Sequence, residues 1–265
     1  MCYRLIENCI DIPSGKLNYI SFGTGQKNLI IIQGLNVRDL KGAGASLALM
    51  YRMFVKDYRV YLFDRRADVQ EGLTNWDLAE DINRAMEVLH INSADVFGVS
   101  QGGMIAMALT LEHPKRVDKL VLGVTAARAN ENMKNVVGKW IRCALDKDHV
   151  TINKDAFSLM YTEKYLRKYK LFMPLMIRMV KPENFSRFAI LASAILSFDC
   201  FDRLNEIQCP VLVLGGEKDM ITTAQASLEI AGKLDCKIHM YSEYGHAAYD
   251  EAKDFNRIVY EFLSE

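Results

Sequence analysis

The sequence lacks the cysteine spacing of a disulfide framework or a zinc site. Its six cysteines are scattered through 265 residues without a C-x-x-C pair: Cys2, Cys9, Cys143, Cys200, Cys209 and Cys236. A chain of this length buries a substantial core without disulfides, and structural zinc sites use closely spaced Cys and His ligands. We therefore expect reduced thiols, no bound metal and no other cofactor, as in a cytoplasmic protein.

A net charge of either sign is also missing, because 33 basic side chains balance 33 acidic ones. Nucleic-acid binding normally requires a basic surface, so the composition predicts neither a nucleic-acid partner nor attraction to an anionic membrane. The longest apolar run, residues 188–198, is interrupted by Ser193 and Ser197, and it is shorter than the roughly 20 residues that span a bilayer. We expect no membrane insertion.

Short apolar runs alternate with longer helical patterns along most of the chain. Five runs are apolar on both faces, as in buried parallel strands: residues 29–32, 60–63, 95–99, 120–124 and 211–214. A weaker run at 237–241 indicates a strand nearer the edge, and residues 3–10 and 17–22 predict an antiparallel hairpin. Helices are predicted at 77–89, 102–111, about 223–231 and from 252 onward. Thr222 or Thr223 can cap the third of these, and the last has one apolar face, formed by Phe255, Ile258, Val259 and Phe262. This alternation predicts a doubly wound α/β fold with a mostly parallel sheet.

Residues 129–205 interrupt this alternation because they contain no strand pattern. We interpret them as a helical insertion that divides the main domain into residues 1–128 and 206–265. The insertion is rich in large apolar side chains, and most of them are expected to pack on one another. Six are candidates for lining a substrate pocket: Phe157, Met160, Phe172, Met173, Met176 and Phe188. Its basic residues are expected mainly on a solvated outer face.

A G-x-S-x-G motif runs from Gly98 to Gly102 with Ser100 at its centre. Such a motif arises by chance in about one chain in ten of this length, but here it joins a predicted strand to a buried helix. That is the position of a nucleophile elbow, where the turn is sharp and Gly98 and Gly102 leave room for close packing. The motif therefore predicts Ser100 as a nucleophile.

A serine nucleophile requires a base, and a third group must orient that base. Of the five histidines, His246 alone lies in a loop after the last predicted strand. Asp219 follows the preceding strand, with Glu217 as the fallback. The carboxyl ends of parallel strands share one edge of the sheet, so these side chains are expected to meet Ser100. The chain order Ser, Asp, His is that of the nucleophile-elbow hydrolases.

Stabilising an oxyanion requires positioned N–H donors. The backbone N–H of Gln101, directly after the nucleophile, is one candidate. The loop after residues 29–32 offers the other, for which we choose the N–H of Leu35, with Gly34 permitting a tight turn.

These motifs together resemble the capped, esterase-like branch of the α/β-hydrolase superfamily. Residues 58–66 are similar to the strand and loop that precede the family's second conserved turn. Residues 78–82 are similar to its helix before the elbow strand, and residues 113–117 to its link after the elbow helix. The resemblance implies an α/β-hydrolase fold with residues 129–205 as a cap over the active site. Two features depart from the family pattern: Gln33-Gly34 replaces the usual His-Gly, and Arg65-Arg66 stands where a glycine-rich turn is usual.

The leading functional hypothesis is hydrolysis of a carboxylic ester or thioester of a small to medium, largely apolar molecule through an acyl-serine intermediate. C–C bond hydrolysis or perhydrolysis on the same residues is the alternative enzyme activity. A hydrolase-like receptor that binds a small molecule with little turnover is the alternative from a different class. Ser100 argues against dehalogenase or epoxide hydrolase chemistry, which uses an aspartate nucleophile on this fold.

Overall fold

The computed structural model describes residues 4–36 and 39–265. Eight strands form one sheet in the order β1-β2-β4-β3-β5-β6-β7-β8. The strands are β1 (Ile6–Ile12), β2 (Gly15–Phe22), β3 (Lys27–Ile32), β4 (Tyr58–Phe63), β5 (Ala94–Val99), β6 (Val117–Gly123), β7 (Val211–Gly216) and β8 (Lys237–Tyr241). β2 pairs antiparallel with β1 and β4, and the other pairs are parallel. The predicted mostly parallel sheet, its edge hairpin and the edge position of β8 are confirmed.

Eleven helices are found in the described part of the chain. They are α1 (Gly44–Met50), α2 (Asn75–Val88), α3 (Gln101–Glu112), α4 (Glu131–Leu145), α5 (His149–Met160), α6 (Glu163–Tyr169), α7 (Met173–Met179), α8 (Phe185–Leu196), α9 (Ala224–Leu234), α10 (Ala248–Glu251) and α11 (Phe255–Ser264). Two short 3₁₀ turns cover Pro114–Arg116 and Phe201–Glu206.

The central strands are buried because helices cover both faces of the sheet. Successive side chains of a strand point to opposite faces, so Val96 joins a core with α2, α3 and α9, whereas Phe97 joins a second core with α1 and α11. Helix α3 is buried on every side, as its apolar sequence predicts. The burial of Phe255 and Val259 likewise confirms the predicted inner face of α11.

Several local predictions differ from the structure. Helix α1 was not predicted, because seven residues give too short a pattern to show a helical period. Thr223 stands at the N-cap of α9 but makes no side-chain cap bond, and the hydroxyl of Thr222 donates instead to Asp219. Cys2 and Tyr3, which were predicted to be a thiol and the start of a strand, lie outside the described residues.

Five helices, α4 to α8, lie between β6 and β7, and we call residues 129–205 the helical insertion. Helix α8 is held over the nucleophile elbow by buried hydrogen bonds. The Gln101 side-chain amide donates to the carbonyl of Leu191, and the Asn75 amide donates to that of Ala194. Across residues 4–36 and 39–265, the helices are too short or too polar to span a bilayer. The division into structural units at 128 and 205 stays a prediction.

Candidate active site

Ser100 lies at the sharp turn between β5 and α3, with φ 54° and ψ −123°. Few non-glycine residues adopt a positive φ, and such strain persists only where the surrounding structure enforces it. Its backbone is held on both sides, since its N–H donates to the carbonyl of Gly123 and its carbonyl accepts from Gly103 and from the hydroxyl of Thr125. The strained turn therefore presents the serine hydroxyl at the carboxyl end of the sheet.

The two glycines of the motif allow strand and helix to touch. A Cβ atom on Gly98 would lie 2.4 Å from the carbonyl oxygen of Gly102, and one on Gly102 would lie 1.9 Å from that of Ile32. Both distances are far below van der Waals contact, so any side chain there would force the elbow away from the sheet. This explains physically why the motif needs glycine at these positions.

The structure brings Ser100, His246 and Asp219 together in a hydrogen-bonded row. The Oγ atom of Ser100 lies 3.0 Å from Nε2 of His246, and Nδ1 of His246 lies 2.9 Å from Oδ2 of Asp219. His246 and Asp219 are both buried. With Nδ1 donating to the carboxylate, Nε2 is free to accept the serine proton.

Asp219 is held by donors on both carboxylate oxygens. Its Oδ1 accepts from the backbone N–H groups of Ile221 and Thr222 at 2.7 and 3.0 Å, and its Oδ2 accepts from the Thr222 hydroxyl. Burial alone would raise its pKa, but the imidazole of His246 and these donors outweigh burial and hold the pKa of Asp219 below its usual range. Glu217, the fallback, is exposed to solvent.

This lowered pKa predicts an acid-dependent loss of stability. The unfolded-state pKa of an aspartate is about 3.9. The contribution of Asp219 to folding is therefore complete above that pH and is lost as the pH falls through the lower folded-state value. Urea unfolding of the wild type and Asp219→Asn should give a difference in unfolding free energy at about pH 7 that narrows below about pH 4. If the difference in unfolding free energy between the two proteins grew at acid pH, the lowered pKa of Asp219 would be contradicted.

The proposed oxyanion loop lies directly beside the serine. Gly34, Leu35 and Gln101 line the same cavity as Ser100 and His246. The residue that replaces the family's usual histidine is also accommodated, because the side chain of Gln33 accepts a hydrogen bond from Asn36 at 3.0 Å.

A second contact on this loop was not predicted from the sequence. The buried guanidinium of Arg65 donates to the carbonyl of Gln33 at 2.6 Å. Burial lowers the pKa of Arg65 to about 10, so the group is still charged at neutral pH. Arg65 therefore fixes the peptide that precedes Gly34 and Leu35.

The cavity beside Ser100 is small and largely apolar, with a volume of about 60 Å³. Its roof comes from the helical insertion: Met133, Val137 and Trp140 of α4, Met160 of α5 and Ile195 of α8. Tyr249, three residues after His246, also lines it, and burial together with the nearby Asp250 raises the pKa of its phenol, which stays neutral. The spacing of Met133, Val137 and Trp140 at positions i, i+4 and i+7 is a sequence signal that could have pointed to this face of α4.

Of the six predicted pocket residues, only Met160 lines this cavity. Phe172 and Met176 are exposed on the turn before α7 and on α7 itself, and Met173 lines a different surface groove. Phe157 stacks on Tyr161. Phe188 is buried but lines a separate polar cavity. A count of apolar residues does not show which face of a short helix turns inward, and this is why these placements differ.

One basic residue of the insertion is not on a solvated face. Arg187 donates to the backbone carbonyls of Arg65 and Arg66 at 2.8 and 3.3 Å, and it lies 3.7 Å from the carboxylate of Asp64. It therefore ties helix α8 to the loop after β4.

A family model of the α/β-hydrolase fold matches residues 37–253. The chain therefore belongs to the α/β-hydrolase family, as its sheet order and nucleophile turn indicate.

Several proteins that resemble this chain are hydrolases. It is 28% identical to a 2-hydroxy-6-oxononadienedioate/2-hydroxy-6-oxononatrienedioate hydrolase of Paraburkholderia xenovorans (strain LB400), over 94% of this chain and 91% of the relative. Similar solved structures include an enol-lactonase from Burkholderia xenovorans LB400, with a TM-score of 0.85, 22% identity and 97% and 100% of the two chains covered. Another is a thermophilic esterase from Thermogutta terrifontis, with a TM-score of 0.80, 20% identity and 98% of each chain covered. The sequence similarity supports hydrolase activity, and the two solved structures share the fold of this chain.

Proposed function

We propose that this protein is a serine hydrolase that cleaves an uncharged carboxylic ester or thioester, with Ser100 as nucleophile, His246 as base and Asp219 orienting that base. The observation that carries the proposal is the placement of Ser100 in hydrogen-bond contact with a buried His–Asp pair at the mouth of an apolar cavity. A serine hydroxyl is a weak nucleophile unless such a base takes its proton.

The reaction proceeds in two halves. Ser100 Oγ attacks the carbonyl carbon while its proton passes to Nε2 of His246, and the new oxyanion is stabilised by the N–H groups of Leu35 and Gln101. The imidazolium then gives its proton to the leaving alcohol or thiol, and an acyl-serine remains. Water repeats the sequence, with His246 taking its proton, and releases the carboxylic acid and free Ser100.

The lining of the cavity favours an uncharged acyl group. Its described lining residues include no lysine or arginine, so no permanent positive charge there would pair with a substrate carboxylate. The nearby polar cavity, of about 200 Å³, contains Arg65 and Arg187, but the carboxylates of Asp39, Asp64 and Glu183 line it too. It offers no excess of positive charge to an anion.

The helical insertion acts in this proposal as a cap. Helices α4 and α5 roof the cavity, and its volume of about 60 Å³ is well below the roughly 300 Å³ of a typical ligand pocket. We therefore infer that the roof of the cavity rearranges to admit the substrate, while α4 stays packed on α8, which the contacts of Gln101 and Arg187 hold in place.

C–C bond hydrolysis is the second candidate, because of the similarity to the dienedioate hydrolase over 94% of the chain. The dioate in that relative's name denotes a substrate with two carboxylates. The apolar cavity of this chain lacks a counter-charge for such a molecule among its described residues, and this difference favours the ester.

A panel of p-nitrophenyl esters of rising acyl length tests the proposed substrate class. Each methylene buried contributes up to about 0.8 kcal/mol, or about fourfold in kcat/KM. Once the roof has returned over the acyl-serine, the cavity of about 60 Å³ offers the acyl group the liquid volume of roughly two water molecules. We therefore expect kcat/KM to rise over the first one or two methylenes and then to level off.

A matched control uses acyl groups that end in a carboxylate, together with a 2-hydroxy-6-oxodienoate as a C–C substrate. Neutral esters should be preferred by at least about tenfold over esters with a charged acyl end, since burying an unpaired carboxylate is costly. Faster cleavage of the C–C substrate would replace the ester proposal with the second candidate, and faster cleavage of the charged esters would overturn the preference for an uncharged acyl group.

A further inference from the structure

Large apolar side chains are exposed together on the far side of the helical insertion, on α7 and the turn before it. Leu171 is 89% exposed, Phe172 64%, Leu175 59% and Met176 40%. Leu175 and Met176 lie on α7, and Leu171 and Phe172 lie on the turn directly before it, so the four exposed side chains are close together at the start of the helix. Single exposed apolar residues are common, but a contiguous group marks an interaction surface.

Exposed basic side chains lie near this group in the sequence. Residues 163–181 contain six basic residues and one acidic residue, a net charge of +5, although the whole chain is neutral. All six basic side chains are exposed: Lys164, Arg167, Lys168, Lys170, Arg178 and Lys181. The remainder of the chain therefore carries a net charge of −5, and the balanced composition conceals a strong asymmetry.

A surface groove extends the same pattern toward α5. It has a volume of about 530 Å³, an apolar lining that includes Val150, Leu166 and Met173, and a basic rim that includes Lys154 and Lys170. Its described lining residues include no carboxylate. We call residues 163–181, together with this groove, the basic apolar face.

We propose that the basic apolar face binds the surface of a membrane that contains anionic lipid. Apolar side chains of such a surface enter the boundary between headgroups and acyl chains, while lysine and arginine pair with lipid phosphates. The chain would lie on the bilayer without crossing it. Contact between two copies of this face is opposed, because a symmetric dimer would bring the two positive patches together.

This face is connected to the roof of the active-site cavity. The buried side-chain amide of Asn153 on α5 donates to the carbonyl of Ile177 on α7 at 2.9 Å, and Met160 at the end of α5 lines the cavity. Docking through α7 would therefore place the lipid next to α5, the helix that carries Met160 of the cavity roof. The proposal stands whether or not the substrate is an ester.

Sedimentation with lipid vesicles tests this proposal. We expect the wild type to bind vesicles of phosphatidylcholine with about 30% phosphatidylglycerol and to bind pure phosphatidylcholine far more weakly. Binding should weaken between about 0.1 and about 0.5 M salt. The double variant Lys168→Gln/Lys170→Gln should lower the partition coefficient by about 25-fold, at about fivefold for each charge. Phe172→Ser/Leu175→Ser should lower it by about tenfold or more.

Matched controls lie on the main domain. Leu49→Ser removes an apolar side chain that is 63% exposed on α1, and Lys56→Gln/Lys115→Gln removes two exposed charges. Both should leave vesicle binding unchanged, and thermal unfolding of each variant should match the wild type. The proposal is overturned if the wild type does not bind, if neutral vesicles bind equally well, or if the controls lose binding as much. Sedimentation equilibrium that showed a dimer broken by Phe172→Ser, without vesicle binding, would assign the face to self-association.

Discussion

Ser100→Ala is expected to lower kcat/KM for an ester by about 10⁴-fold or more while leaving the fold intact, because the nucleophile is removed and the turn keeps its Cβ atom. Initial rates with a short-chain p-nitrophenyl ester measure the effect. Labelling by a fluorophosphonate should disappear in the same variant. These measurements distinguish a hydrolase from a receptor without turnover. If the protein were such a receptor, the fluorophosphonate would not label the wild type, and Ser100→Ala would remove no activity.

Ser100→Gly provides a control that separates chemistry from folding. Glycine adopts a positive φ without steric cost, and the strain at a non-glycine residue with φ 54° is about 1–3 kcal/mol. The glycine variant should therefore be as inactive as Ser100→Ala but more stable than it to urea. If Ser100→Ala kept most of its activity, the nucleophile would have to lie elsewhere and the proposed function would fail.

The sheet and the three side chains of the proposed site could be predicted because a local pattern and a topological rule support each other. Ser100, Asp219 and His246 each follow a strand, and in a parallel sheet the carboxyl ends of the strands open at one edge. The apolar runs fix the strands, so the rule needs no knowledge of side-chain packing. The observed distances of 3.0 and 2.9 Å are consistent with that expectation.

The cavity could not be predicted because its roof comes from three helices of the insertion, α4, α5 and α8, that are brought to Ser100 only by tertiary packing. Met133 and Val137 line it, whereas Phe172 and Met176, which are equally apolar, are exposed. Helices of seven residues have too few turns for periodicity to separate an inner from an outer face.

The placement of the charged side chains could not be predicted either, because the composition gives only the total charge of the chain. Arg187 contacts a backbone loop that is more than 100 residues away in sequence, and Arg65 supports the loop at Gln33. Neither contact leaves a local pattern in the chain. The positive charge of residues 163–181 is visible in the sequence, but only the structure shows that exposed apolar side chains accompany it.

Asp219→Asn is expected to lower kcat/KM by about 10⁴-fold, and Glu217→Gln by less than about threefold, because only the group bonded to the imidazole selects its tautomer. An asparagine Oδ1 could still accept from Ile221 and Thr222, which would turn its NH₂ group toward Nδ1 of His246. That amide would donate to Nδ1 and drive the ring proton to Nε2, which could then no longer accept the proton of Ser100.

The same reasoning predicts how the substitutions combine. Once Ser100 is gone, the tautomer of His246 has no nucleophile to activate, so Ser100→Ala/Asp219→Asn should be no slower than Ser100→Ala alone. Additive losses would mean that Asp219 acts on the reaction by a route other than His246. A greater loss from Glu217→Gln than from Asp219→Asn would contradict the proposed role directly, because Glu217 is exposed whereas Asp219 contacts the imidazole at 2.9 Å. Since the two residues share one loop, a general disturbance of that loop would affect both variants alike, and only the hydrogen bond to His246 separates them.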